Sequence, residues 1–379
     1  MRSILRHLFS EHLDPTRWPR GLSTDQRKAI RSIRTCRTAA QGSHLRICPN
    51  GDHIEHHYNS CKHRCCPQCG GFESARWADR QQQKALPCSY YHIIFTLPHE
   101  LIPLWLFNKR TFARHFFAAA WSSLEALYRD PQWVGGRPGA IAVFQSWGET
   151  LNTHPHLHVL ITAGGLDPHG TWHHASRSYL MPTAVLSAAF KGRFLNALRK
   201  ALLRTHTIDP PPNQRVEHWA TQFNRLAIRK WHIQIQPPYQ HPKGLLLYLA
   251  FYLRGGPISE HRIHLGHNQT IQIDYKRPTE HRTQHCTLSI KEFITRFLVH
   301  VPPRGLRVAR AYGLFHPRAH VACRQAHLAL AGSSTTTSKE PAPLRRVAAS
   351  PRWALRCPRC GAILIVRRTA RAPPFLAAA

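Results

Sequence analysis

Apolar residues recur along this chain in two rhythms. In "YYHIIFTLP" (90–98) β-branched and aromatic residues form an unbroken run closed by Pro98, which predicts a buried strand. In "LFNKRTFARHFFAAAWSSLEALYRD" (106–130) the apolar positions fall three and four apart, which predicts an amphipathic helix. "AIAVFQSW" (140–147) and "HLHVLITA" (156–163) read as two strands joined by the polar turn "GETLNTHP". A helical block at 182–206 and the apolar segment 245–254 continue an alternating α/β pattern. Beyond "GGPIS" come mixed strands and a helix at "SIKEFITRFLVH" (289–300). The opening "MRSILRHLFSEHLDPTRWP" has the spacing of an amphipathic helix and no continuous apolar stretch of the kind that opens a secretory leader.

The pattern predicts a mixed α+β or α/β fold divided into five segments. These are a helical lead-in with a cysteine cluster (1–82), an α/β domain ending on an apolar helix (83–265) and its C-terminal part (266–331). A linker follows at 332–350, opening on the Ser/Thr/Pro-rich "GSSTTTSKEPAP" (332–343), and then a tail (351–379) carrying "CPRC". The longest apolar run, "LLLYLAFYL" (245–253), is too short to cross a bilayer, so no membrane association is expected.

Charge narrows the class of partner. Lys and Arg number 52 against 19 Asp and Glu, a net charge of +33 with a pI near 10.9. Such an excess is a footprint for a polyanion, above all nucleic acid. Ten Trp, ten Tyr and sixteen Phe set the chain apart from the short, Lys-rich proteins that coat nucleic acid, and favour a folded protein that handles it. Basic pairs such as Arg199–Lys200 and Arg229–Lys230 are candidates for phosphate contact, though 52 cations make any choice arbitrary.

Six of the eleven cysteines fall between Cys36 and Cys69, the others there being Cys48, Cys61, Cys65 and Cys66. Cys66-Pro-Gln-Cys69 is the tight pair that lets two thiolates share one tetrahedral zinc, and Cys48 and Cys61 lie at distances suited to a second half-site. A short segment with few large apolar residues needs such a staple to fold. One zinc is expected, and a second is left open. The C-terminal "CPRCGAIL" supplies only two ligands: half a ribbon, a site completed by a distant residue, or nothing.

On a strand over 156–162, His156 and His158 share one face while Leu157, Val159 and Ile161 take the other. Two imidazoles side by side, plus a third polar ligand, leave open positions on a divalent ion that can polarise a phosphate oxygen. Gln145 or Glu149 from the preceding strand and turn, or His154, could supply the third ligand. With 29 histidines in the chain an isolated His-x-His pair is by default an ordinary sheet face, so the decision needs a partner elsewhere. "LLLYLAFYLRGGPIS" offers one. Tyr248 and Tyr252 are one helical turn apart, and a tyrosine hydroxyl can attack phosphorus and hold the strand as a phosphotyrosine.

Together, "RTCRTAAQGSHLRICP" with "YNSCKHRCCPQC", "SWGETLNTHPHLHVLITAGG", "YLAFYLRGGPIS" and "LSIKEFITRFLVHVPPRGLRVARAYGLF" resemble the rolling-circle insertion-sequence transposases of the HUH class, over roughly residues 30 to 325. The resemblance implies an N-terminal zinc-binding domain followed by an HUH-type α/β sandwich with a central antiparallel sheet. It implies that His156 and His158 hold a catalytic Mg²⁺ or Mn²⁺, and that Tyr248 and Tyr252 are the nucleophiles. Cys36, Cys48, Cys61, Cys66 and Cys69 match zinc-module positions. Members nick single-stranded DNA, form a 5′-phosphotyrosine and mobilise their element by a rolling-circle-like route. The expected partner is therefore DNA, chiefly the single-stranded ends of the element itself, in a prokaryotic cytoplasm. Gly255 and Gly256 depart from the polar residues expected after Arg254, and two positions of the zinc module differ as well: Gly51 stands where members often have Cys, and Cys65 where they often have His. That leaves the ligands of a second zinc open, with His53 or Cys65 as substitutes.

Two other readings fit part of this pattern: a non-catalytic, zinc-stabilised DNA-binding protein with the histidines and tyrosines in its core, and a plasmid replication initiator or relaxase of the same HUH class. A carboxylate-triad transposase is disfavoured, because the 8 Asp and 11 Glu form no motif-like cluster.

Overall fold

The computed structural model describes residues 3–13, 21–176, 179–276, 282–332 and 355–368. Apart from Gly332, the linker expected at 332–350 lies outside the described residues.

In chain order the elements begin with α1 (Ile4–His12), α2 (Thr24–Thr35), β1 (Ser43–Ile47), β2 (Ile54–Tyr58) and α3 (Gly70–Gln82). Next are β3 (Tyr90–Thr96), α4 (Ile102–Phe107), α5 (Lys109–Arg129), β4 (Gly139–Trp147), β5 (Thr153–Thr162), β6 (Gly164–Leu166) and β7 (Trp172–His174). Then come α6 (Thr183–Leu203), α7 (Val216–Ile228), β8 (Ile233–Ile235), α8 (Lys243–Leu253), β9 (Ile263–Leu265), β10 (Thr270–Lys276) and β11 (Thr283–Ser289). The last are α9 (Ile290–Val299), β12 (Ala309–Gly313), α10 (His320–Gly332) and β13 (Ile365–Arg368).

Five strands in the order β12-β4-β5-β3-β8, all antiparallel, make the central sheet, as the mixed α+β expectation requires. Its register sets the faces. Ile94 and Val143 flank His158, and Thr96 and Gln145 flank His156, so all six project to one side. Leu157, Val159 and Ile161 project to the other, into a core with Phe95, Phe116, Phe144, Phe190 and Phe194 that α4, α5, α6 and α7 cover. Within it the rings of Phe116 and Phe144 meet edge to face with centroids 6.2 Å apart, and each such buried side chain contributes about 1.5–3 kcal/mol.

The histidine face is covered by α8. Leu245, Leu246 and Leu249 are buried there against Tyr90, Ile141, Val143 and Leu160. α8 runs beside α3 and ends at Arg254, where Gly255 (φ +113) and Gly256 (φ +79) take backbone conformations that side chains disfavour. Both glycine amides donate to the Arg64 carbonyl, at 2.9 and 3.2 Å, and a Cβ on Gly256 would lie 2.5 Å from the Cys65 carbonyl oxygen. The departure from polar residues after Arg254 therefore has a packing reason: the helix end docks directly on the cysteine loop.

A second core joins distant parts of the chain. Leu5, Leu8 and Phe9 of α1 and Ile30 and Ile33 of α2 pack with Ile271 and Ile273 of the β11-β10-β9 sheet and with Phe293 and Phe297 of α9. The lead-in helices thus share their core with residues 258–301. The remaining three-stranded sheet, β13-β1-β2, is closed by the C-terminal strand.

Candidate active site and metal centres

β5 is rigid because its neighbours β3 and β4 bury it on both sides, leaving His156 8% and His158 3% exposed. The imidazoles are tied into one network. His156 donates from Nδ1 to the His154 carbonyl at 2.6 Å, which leaves its Nε2 lone pair free. His158 Nε2 lies 3.1 Å from Gln145 Oε1, and His158 Nδ1 lies 2.9 Å from His92 Nε2. Burial pushes His92 and His156 down to about 4, and burial with the neighbouring imidazoles holds His158 well below its ordinary value. All three are neutral at pH 7, the protonation state that binds metal.

Tyr248 and Tyr252 sit directly over this network. The Tyr252 ring stacks on His158 at 5.7 Å and 4°, and the Tyr248 ring meets His158 and His92 edge-on at 5.9 and 6.3 Å. Burial raises both phenols, and their rings meet edge to face with centroids 4.9 Å apart. Tyr248 is 43% exposed and Tyr252 is half-buried, so Tyr248 is the more open of the two. The cleft they line has a volume of about 950 Å³ and carries Arg6, Arg37, Arg254 and Arg262. Its two carboxylates are already engaged, Glu149 by Arg262 at 2.9 Å and Glu260 by the start of α1, where it accepts from the Ile4 amide at 2.9 Å.

The candidate third ligands separate here. Gln145 is buried with its Oε1 aimed at His158; Glu149 lies on the turn with Arg262; and His154 gives its carbonyl to His156. His92 was missed by the sequence reading. It sits mid-strand in "YYHIIF", and only the β3–β5 register places it beside His158. Arg199 and Arg229 occupy the helical layer across the sheet, hydrogen-bonded to Asn224 and Glu100.

The cysteines divide into two groups. Cys36, Cys61, Cys66 and Cys69 bring their sulfurs within 4.8 Å of one another, with Cys61 and Cys69 at 3.7 Å. Two sulfurs bound to one tetrahedral zinc at 2.3 Å stand about 3.8 Å apart, so this donor set fits a structural zinc. Cys48 lies elsewhere, beside Asp52, Cys357 and Cys360. Cys65 is buried in the second core and pushed up to about 12 by burial, which keeps it a neutral thiol. His53 faces Glu55 at 2.9 Å.

Residues 139–323 match the family described as "Putative transposase", and residues 8–97 match the transposase zinc-binding domain. The protein named "Putative transposase y4qJ" from Sinorhizobium fredii (strain NBRC 101917 / NGR234) is 32% identical over 312 residues, which is 78% of this chain and 76% of the relative. The chain belongs to the HUH-class insertion-sequence transposase family. This transposase is also 28% identical over 310 residues to the transposase for insertion sequence element IS801 of Pseudomonas savastanoi pv. phaseolicola, covering 79% of this chain and 72% of that one. No solved structure matches it. A transposase binds DNA, in keeping with the charge of +33, and among the described residues no helix is long and apolar enough to cross a membrane.

Proposed function

We propose that this transposase nicks and rejoins single-stranded DNA through a 5′-phosphotyrosine on Tyr248 or Tyr252, mobilising its element by a rolling-circle-like route. The observation that carries the reading is the seating of both tyrosines on the neutral His92–His158–Gln145 network, in a cleft lined by arginines.

His156, His158 and Gln145 would hold the divalent cation. Nε2 of His156 is free, and an octahedral ion with ligands at 2.0–2.1 Å keeps neighbouring donors about 3 Å apart, close to the 3.1 Å between His158 Nε2 and Gln145 Oε1. With His158 donating from Nδ1 to His92, its Nε2 keeps its lone pair on the Gln145 side, available to the ion. When bound, Mg²⁺ or Mn²⁺ supplies Lewis-acid polarisation of the scissile phosphate. The attacking phenol forms a new O–P bond, the bond from phosphorus to the 3′ oxygen breaks, and the phenolic proton ends on the released 3′-OH. Tyr248 is favoured as first nucleophile, because it is the more open of the two to the cleft.

A groove of about 770 Å³ beside the cleft supports single-stranded substrate. Arg37 borders both cavities, and in the groove Tyr58 and Phe72 expose their rings among Arg46, Lys62 and Arg76. Aromatic faces between cations suit unpaired bases and their phosphates.

The deciding assay incubates the protein with single-stranded DNA from the element's ends and Mg²⁺ or Mn²⁺. An SDS-resistant adduct is expected, lost in His156→Ala and in the Tyr248→Phe/Tyr252→Phe double variant. No adduct on any terminal sequence would return the protein to a non-catalytic DNA-binding role, and an adduct on the double variant would move the nucleophile elsewhere.

A further inference from the structure

The transposase carries a second thiolate cluster, made from two segments more than 300 residues apart. We propose that Cys48, Asp52, Cys357 and Cys360 bind a second Zn²⁺, a clasp that locks the C-terminal segment onto the N-terminal module.

The donor atoms of the four residues all lie within 4.8 Å of one another. Cys48 Sγ and Cys360 Sγ are 3.4 Å apart, well beyond the ~2.05 Å of a disulfide and close to the spacing of sulfurs that share a zinc. Three soft sulfurs and one oxygen form a donor set that favours zinc over magnesium or calcium.

The two loops are built alike. Each opens on Cys-Pro, in "CPNGDH" and in "CPRCGA". In each the first cysteine's amide donates 2.8 Å to a carbonyl five residues on, Cys48 to His53 and Cys357 to Ala362. Each turns through a left-handed glycine, Gly51 at φ +81 and Gly361 at φ +73. In the first loop the second thiol is missing, and the carboxylate of Asp52, one residue further on, comes to the cluster in its place. That answers the Gly51 departure: the substitute is neither His53 nor Cys65 but Asp52, with the remaining ligands coming from the tail.

Packing alone is too small to hold this arrangement. The local core is Cys48, Cys357 and Leu364 with a half-buried Ala362, and β13 leaves Ile365 and Val366 half exposed while pairing with β1 over only four positions. A module of that size folds when metal supplies the missing free energy. The cluster shares no residue with the Cys36 tetrad, and residues 355–368 lie beyond both family matches. The inference therefore stands whether or not the nicking chemistry is as proposed.

The test counts zinc on the full chain, purified with reductant and Zn²⁺, by native mass spectrometry. Two ions per chain are expected in the wild type, and one in the Cys357→Ser/Cys360→Ser variant. Hydrogen exchange over residues 43–47 and 365–368 should speed up in that variant while the central sheet stays protected. Should the double variant misfold, Asp52→Asn decides: one of its two ions should pass to a chelator about tenfold faster than in the wild type. A single zinc in the wild type, two ions kept in the double serine variant, or a Cys48–Cys360 disulfide in the reduced preparation would each overturn the clasp.

Discussion

The Tyr252 ring lies parallel to that of His158, with centroids 5.7 Å apart and planes 4° from coplanar. Nothing nearer than tertiary structure brings these residues together, since one is on β5 and the other on α8. The contact sets the two tyrosines in different surroundings. Tyr252 is fixed against the imidazole, and Tyr248 is the more open to the cleft. With linear single-stranded substrate, Tyr248→Phe should lower the first nick by at least about 100-fold, and Tyr252→Phe by about tenfold or less. Adduct yield per unit time measures both, and the reverse ranking would make Tyr252 the first nucleophile.

His92 Nε2 lies 2.9 Å from Nδ1 of His158, and in the proposed mechanism this contact orients the ring for the cation. His92→Ala should raise the Mn²⁺ concentration needed for half-maximal adduct formation about 10- to 100-fold, with little change at saturating Mn²⁺. His92→Gln, which keeps a polar partner at that site, should recover part of the loss. Metal titrations that superimpose on the wild type would remove His92 from the site.

Acid should destabilise the fold through its buried imidazoles. His92, His156 and His300 sit near 4 when folded, chiefly because of burial, against about 6.5 when unfolded. Between those values the unfolded chain binds more protons, so stability is intact above about pH 6.5 and falls as the pH drops toward 4. The slope is up to about 1.4 kcal/mol per pH unit for each such histidine. Urea melts of the metal-free protein at pH 7, 6 and 5 check this, and a flat profile would mean that these rings are hydrated.

Zinc at the Cys36 tetrad should govern the tyrosines from a distance. The Cys65 loop receives Gly256, Arg254 Nη1 donates to the Lys62 carbonyl at 3.3 Å, and Ser74 Oγ donates to the Arg254 carbonyl at 3.2 Å. Cys66→Ser should therefore speed hydrogen exchange across 243–253 and abolish adduct formation, even with Mg²⁺ in excess. Unchanged exchange in α8 would separate the two centres.

Removing the exposed rings of the groove should weaken single-stranded DNA binding without touching the chemistry. Tyr58→Ala and Phe72→Ala are each expected to cost about 1–3 kcal/mol, read by fluorescence anisotropy at fixed salt. Equal affinities for variants and wild type would route the strand elsewhere.

Local pattern made a large part of this protein readable. Alternation in "HLHVLITA" separates His156 and His158 from Leu157, Val159 and Ile161 because a strand repeats every two residues, and the structure buries both sets as that period demands. The four-residue spacing of Tyr248 and Tyr252 puts them on one helical face for the same kind of reason. The excess of 33 positive charges needs no fold to be recognised as a polyanion binder. What period and composition do not encode is which distant elements meet. The β3–β5 register placed His92 against His158, and Gly255 and Gly256 docked the tyrosine helix on a cysteine loop some 190 residues earlier. The same is true of the cysteines. Spacing grouped Cys48 with its neighbours in sequence, whereas three-dimensional packing gave it Asp52, Cys357 and Cys360. Ligand sets are fixed by proximity in space, and the chain reaches that proximity only after its cores have formed.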